Sequence, residues 1–139
     1  MAAGPLKEAA ADLDRKLNEA RYPTVVHGDA KVANFCFGVG GVAAVDYQYV
    51  GGGPGIKDVT YFLSSCLEGP ALAQQAPALL DHYLQTFEGL AGAEAAAEAA
   101  TLYPCAWADF VRFLRGWSPG HWKLGRYSEE ITQQALRSL

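Results

Sequence analysis

The sequence predicts a mainly α-helical domain that carries one small β-element in its first half. Three observations predict it. Apolar residues recur at helical spacing before residue 20 and again from Asp58 onward. Between those stretches, short β-branched and aromatic runs alternate with glycine-rich turns. The chain has 139 residues, half of them apolar, which suffices for a single domain, 1–139, with one core.

The elements follow in order. Pro5 suits a first helical turn, and Leu6, Ala9, Ala10, Leu13 and Leu17 then mark an amphipathic helix over about 5–20. Pro23 ends it, because the residue before a proline is pushed toward extended geometry. Thr24 to His27 reads as a short strand, Gly28 to Asn34 as a loop, Phe35 to Phe37 as a second strand and "VAAVDYQ" as a third, reached through the turn "GVGG". "YVGGGPGIKD" is rich in turn formers and reads as a tight connection into a helix that begins near Asp58, with Val59, Phe62, Leu63, Cys66 and Leu67 on one face. A further helix fits about 77–90, with Pro77 near its start and Leu80, Tyr83, Leu84 and Phe87 inward. An alanine-rich helix follows over about 93–115, which Pro104 is expected to kink or split. "GWSPGHWKLG" is a loop, and Ser128 is placed as the cap of a last helix.

Composition narrows the function classes. A net charge of −4 argues against a broad nucleic-acid or anionic-membrane footprint. No apolar run reaches the ~18–20 residues needed to span a bilayer, and the opening "MAAGPLKEAAADLDRKL" lacks the apolar middle of a secretory signal. Cys36, Cys66 and Cys105 are odd in number, form no CxxC and have no zinc-finger histidine spacing. They read as reduced core residues of a cytoplasmic or otherwise reducing compartment.

The informative stretch is "VVHGDAKVANFCFG", Val25 to Gly38, followed by "VAAVDYQ". Asp29 and Asn34 flank one loop, and a hairpin would return Asp46 beside them. Oxygens from Asn34 and Asp46 suit a hard divalent cation, since Mg2+ takes only one or two protein groups and fills its roughly six positions with phosphate and water. Asp29 would remain free to accept a proton from an attacking hydroxyl. Lys31 would place positive charge on a transferring phosphoryl group. Base, metal, charge compensation and positioning are what phosphoryl transfer requires.

With these residues in place, "HGDAKVAN", then "VAAVDYQ", then "GPGIKDVTYFLSS" resembles the catalytic and metal-binding segments of the kinase-like small-molecule phosphotransferases. That group includes the aminoglycoside phosphotransferases, the choline kinases and the ecdysteroid-kinase-like enzymes. The similarity runs from Val25 to about Ser65. It implies a protein-kinase-like C-terminal lobe, with the catalytic and metal segments at about 24–65 and a helical part at about 66–139. It implies Asp29 as catalytic base assisted by Lys31, Asn34 and Asp46 as Mg2+ and nucleotide ligands, and His27 and Asp58 as supports of the catalytic loop. The cofactors implied are ATP and Mg2+, and the acceptor is a hydroxyl of a small molecule. Gly28 stands where protein kinases carry the arginine of H-R-D. Eleven residues separate Asp46 from Asp58, too few for a long activation segment. Small-molecule phosphorylation is therefore favoured over protein phosphorylation.

Blander readings compete for single residues. Asp29, Asn34 and Asp46 individually suit turns, Asp58 suits a helix N-cap, and Lys31 suits a solvated surface. Their joint spacing is what favours the site. "GGGPG" is not a phosphate loop, because a P-loop needs G-x-x-x-x-G-K-[ST]. Trp107 reads as core, whereas Trp117 and Trp122, in a loop with Arg115, Lys123 and Arg126, are read equally as packing or as pocket wall.

The 26 residues before His27 read as one helix, with no G-x-G-x-x-G and no strand lysine. The expectation is a C-lobe whose N-terminal lobe is absent. Such a chain would meet that lobe, or self-associate, at an apolar docking surface. The alternative is a non-catalytic, lobe-only binding module derived from such a kinase.

Overall fold

The computed structural model describes residues 4–139, a helical layer with a small β-element at one side. The element order is α1 (Pro5–Glu8), α2 (Ala10–Asn18), β1 (Thr24–Val26), a 3-10 turn (Val32–Asn34), β2 (Phe35–Gly38), β3 (Gly41–Ala44), β4 (Gly51–Gly53), α3 (Ile56–Cys66), α4 (Gly69–Ala91), α5 (Ala93–Trp117) and α6 (Arg126–Arg137).

Helix α5 is the axis of the fold. It packs against α2, α3, α4 and α6. Its buried Ala95, Ala99, Ala106 and Ala108 let neighbouring backbones approach, and Leu102, Tyr103, Trp107 and Val111 fill the space between. Leu13 and Leu17 from α2, Ile56 and Leu63 from α3, Leu72 and Ala76 from α4 and Ala135 from α6 complete one core. Trp107 lies at its centre, fully buried, in edge-on contact with Tyr103 and Tyr127. Its indole N–H donates to Ser128 Oγ (3.0 Å), because a buried indole must find an acceptor.

The β-element consists of two antiparallel ladders. β2 and β3 form a tight hairpin closed at Gly38 and Gly41. β1 pairs with β4 in the register Thr24–Gly53, Val25–Gly52 and Val26–Gly51.

Several elements differ from the sequence expectation. The first helix is interrupted at Ala9, where ψ rises to −2°. The third strand stops at Ala44, because Asp46 leaves extended geometry with φ 62°. The glycines at 51–53 form a strand rather than only a connection; without side chains they carry no alternation to read. Helix α4 starts at Gly69, with Pro70 in its first turn and Pro77 inside it. Helix α5 continues through Pro104. Proline forfeits one helical hydrogen bond and crowds the preceding turn, but four packed neighbours outweigh that local cost. Helix α6 starts at Arg126 after Gly125, since the Ser128 hydroxyl is engaged by Trp107 and donates to the Lys123 carbonyl (2.8 Å) instead of capping. Of the cysteines only Cys105 is core; Cys36 and Cys66 are exposed. Among the described residues no helix is long and apolar enough to cross a membrane.

Candidate active site

The site is built where the loop after β1 crosses the start of α3. Asp58 lies in the first turn of α3, two residues beyond its N1 position. Gly55, not Asp58, occupies the N-cap. The Asp58 carboxylate reaches out of the helix and accepts the N–H of His27 (2.7 Å) and the N–H of Gly28 (3.1 Å). An ionised acceptor for two adjacent amides is a strong clamp on the loop. The next fastening lies at the far end of α3, where Ser65 Oγ accepts the N–H of Val32 (2.7 Å).

His27 joins three segments. Its Nε2 lies 2.7 Å from the Val45 carbonyl, which can only accept, so Nε2 carries the proton. Nδ1 is then the lone pair that accepts the Asp29 N–H (3.2 Å). The neutral ring thus ties the loop to the strand leading into Asp46. Tyr47 and Phe35 flank it at 5.0 and 6.0 Å between ring centroids.

Gly28 turns the chain between these two fastenings with φ 85°, a region that disfavours a Cβ. A Cβ there would also overlap the Tyr49 carbonyl. A bulkier residue at this position cannot be accommodated without moving the loop.

The structure brings Asp29, Lys31 and Asn34 together. Lys31 Nζ stands 3.1 Å from Asp29 Oδ2. The Asn34 amide donates to the same Oδ2 (3.1 Å) and to the Asp29 carbonyl (2.8 Å). Asn34 is buried, while Asp29 is largely covered and reaches solvent at one side. One carboxylate oxygen is therefore held by two donors. Oδ1 has no hydrogen-bond donor among the described residues.

Asp46 belongs to the same corner through the backbone, since the Val45 N–H donates to the Asn34 carbonyl (2.9 Å). Its carboxylate is exposed and unpaired among the described residues. Asp46 is also the only described non-glycine residue at positive φ. Strain of this kind is tolerated where function or packing demands it. The donor chemistry fits a hard cation. Asn34 spends its N–H2 on Asp29, which leaves its amide oxygen as the free end, and Asp46 offers an unpaired carboxylate. No cluster of three or more His, Cys, Asp or Glu able to hold a metal occurs among the described residues.

Two neighbours of this corner come from far along the chain. Tyr61, on α3, packs on Phe110 (4.8 Å between centroids), and its hydroxyl is held above the usual tyrosine range by burial and then by Asp109, Asp29 and Asp58. Lys123, in the α5–α6 loop, has its ammonium 5.5 Å from the Phe110 centroid and 5.6 Å from that of Trp122. Burial holds it below the usual lysine range, with Lys31 adding to the effect. Tyr61 and Ser65 lie within the stretch that carries the resemblance, and Lys123 in the tryptophan loop, but no sequence pattern assigns any of the three a place beside this corner. Trp117 and Trp122 are both exposed, in a run of rings with Phe113 and His121.

A model of the ecdysteroid kinase-like family matches residues 6–92. The chain belongs to that family. The matched span of this ecdysteroid kinase-like chain contains the loop, both β-ladders, α3 and α4, and ends before α5. No curated protein and no solved structure matches the chain.

Proposed function

We propose that this chain is the catalytic C-lobe of an ATP- and Mg2+-dependent phosphotransferase that acts on a hydroxyl of a small molecule. Membership of the ecdysteroid kinase-like family supports kinase-like chemistry on small molecules. The single observation that carries the finer reading is the state of the Asp29 carboxylate. Lys31 and Asn34 fix Oδ2, and Oδ1 remains available to the acceptor hydroxyl. A base so oriented takes the proton as the oxygen attacks, and Lys31 beside it offsets charge on the transferring group. Asn34 and Asp46 would hold Mg2+, which when bound neutralises the nucleotide phosphates. Asp58, His27 and Ser65 keep the loop from moving away from the acceptor.

The β-element also exposes Val25, Phe37, Val42, Tyr47, Tyr49 and Val50. These exposed apolar side chains support the reading that a nucleotide-gripping lobe sits against the β-element. The same side chains favour the second reading, a binding module that uses the β-element for a partner and performs no transfer.

The test is phosphate transfer from ATP to a panel of hydroxylated amines, sterols and aminoglycosides, with the chain fused behind the β-lobe of a family member. Transfer should appear and fall by about 10²–10⁴ in Asp29→Asn, which keeps the shape but removes the proton acceptor. Transfer that survives Asp29→Asn would remove Asp29 from the role of base. A folded fusion that binds Mg-ATP yet transfers to nothing would favour the binding module.

A further inference from the structure

A cavity of ≈ 450 Å³ opens between the α3–α4 turn and the α5–α6 loop. Its walls include Leu67, Leu72, Trp122, Lys123, Arg126 and Tyr127. The volume suits one small molecule. It adjoins the catalytic loop through α3: Ser64 lines the cavity, and the next residue, Ser65, holds Val32 between Lys31 and Asn34.

The charges of the cavity are unequal in kind. Arg126 is exposed and already paired with Glu130 (2.6 Å). Glu68, also on the wall, is exposed and screened by water. Lys123 is different. It is half-buried, its ammonium is flanked by the rings of Phe110 and Trp122, and it has no carboxylate within 4.0 Å among the described residues. Its backbone is fixed on both sides. The Lys123 N–H donates to His121 Nδ1 (3.2 Å), and its carbonyl accepts the Ser128 hydroxyl, itself anchored to the buried Trp107. A partly desolvated cation held in place with no carboxylate in contact, and with Asp29 opposing its desolvation only from beyond salt-bridge distance, is a preorganised receptor for an anion. Its depressed proton affinity, caused first by burial, is what an incoming negative group would relieve.

We propose that this cavity is the acceptor subsite and that Lys123 there holds an anionic group of the acceptor. The proposal rests on the phosphotransferase reading and adds the substrate class. The acceptor is a hydroxylated molecule with a flat apolar body, which stacks on the cavity's aromatic wall, and with one carboxylate, sulfate or phosphate for Lys123.

The experiment is titration calorimetry on this chain, without nucleotide or metal, using 4-hydroxyphenylacetate and its neutral analogue 4-hydroxyphenylethanol. The acid should bind roughly tenfold more tightly, the worth of one charge-assisted hydrogen bond. Lys123→Met should erase that preference and Lys123→Arg should keep it, with circular dichroism verifying that both variants fold. Equal affinity for the two probes, no binding of either, or an unchanged preference in folded Lys123→Met would overturn the proposal. A third arm with inorganic tripolyphosphate separates the two sources of anion. If Lys123→Met weakens tripolyphosphate and leaves the acid unaffected, the lysine serves the nucleotide and the acceptor assignment is wrong. The outcome is independent of the reaction itself. Acid binding through Lys123 alongside a fusion that transfers nothing would refute the phosphotransferase reading alone. Transfer to neutral acceptors only would refute the anionic acceptor alone.

Discussion

Asp46 is held in the left-handed region with its carboxylate exposed and, among the described residues, unpaired. Glycine adopts this backbone freely and alanine does not, the difference being about 1 kcal/mol. Asp46→Gly should therefore match or exceed the parent in urea midpoint, while Asp46→Ala should fall about 1 kcal/mol below it. In the fusion carrying a β-lobe, both variants should lose Mg2+-dependent nucleotide binding more completely than Asn34→Ala does, because the charged ligand contributes more to a hard dication. Calorimetry with and without Mg2+ gives the order, and an Asp46→Ala variant with undiminished metal dependence would contradict it. Asp58 makes the opposite kind of contribution. Removing its carboxylate leaves the His27 and Gly28 amides without their acceptor. Asp58→Ala should lose about 2–4 kcal/mol, and hydrogen exchange should accelerate first at those two amides. Slow exchange at His27 and Gly28 in Asp58→Ala would show that the clamp is dispensable. The polar residues of this corner were legible because their types and spacing are the signal. Ser65 was not: it meets Val32 across 33 positions, and no local pattern encodes that meeting.

At the scale of elements, the sequence was read well where periodicity is strong and poorly where one residue type speaks for itself. The first helical stretch, though broken at Ala9, and the inward face of α4 follow from apolar spacing, and the β2–β3 hairpin follows from its glycine turn. Pro77 is expected near a helix start and Pro104 as a kink or split within one, and both lie inside continuous helices. Their rule is local, and the packing that overrides it is not. The cost should still be measurable. Pro104→Ala restores a helical N–H at an only partly covered position, and the urea midpoint should rise by the equivalent of about 1–3 kcal/mol. A fall in stability would mean that the ring fills space the core cannot lose. β4 was missed for a related reason. Three glycines present no face, so nothing on that strand distinguishes one pairing register with β1 from the next. Its alignment is imposed from outside, by α3 behind Pro54 and by the grip of Asp58 on His27 and Gly28.

Across the whole molecule, the helices share one core, and the β-element is fastened to it through Asp58, Ser65, the edge-on contact of Phe35 with Phe62 (5.4 Å), the buried Val26 and Ala30, and Glu98 of α5, which accepts the Arg21 and Tyr22 amides just before β1. The 139 residues alone should bind ATP weakly and turn over no hydroxyl acceptor, because among the described residues nothing covers the phosphates and charge compensation in an open, wet site is weak. Robust transfer by the purified chain with no added partner would show that this site needs no lid. The footing of the β-element has a thermodynamic consequence. A segment fastened mainly by a few polar contacts opens with a smaller free energy than the core beneath it, so this corner should sample released states while the helices stay folded. Any nucleotide or second lobe that requires the closed corner must then select it from that mixture, and its apparent affinity is reduced by the closed fraction. Binding the first of them removes this penalty for the other. Two ligands that never touch would thus favour each other through the loop that both immobilise.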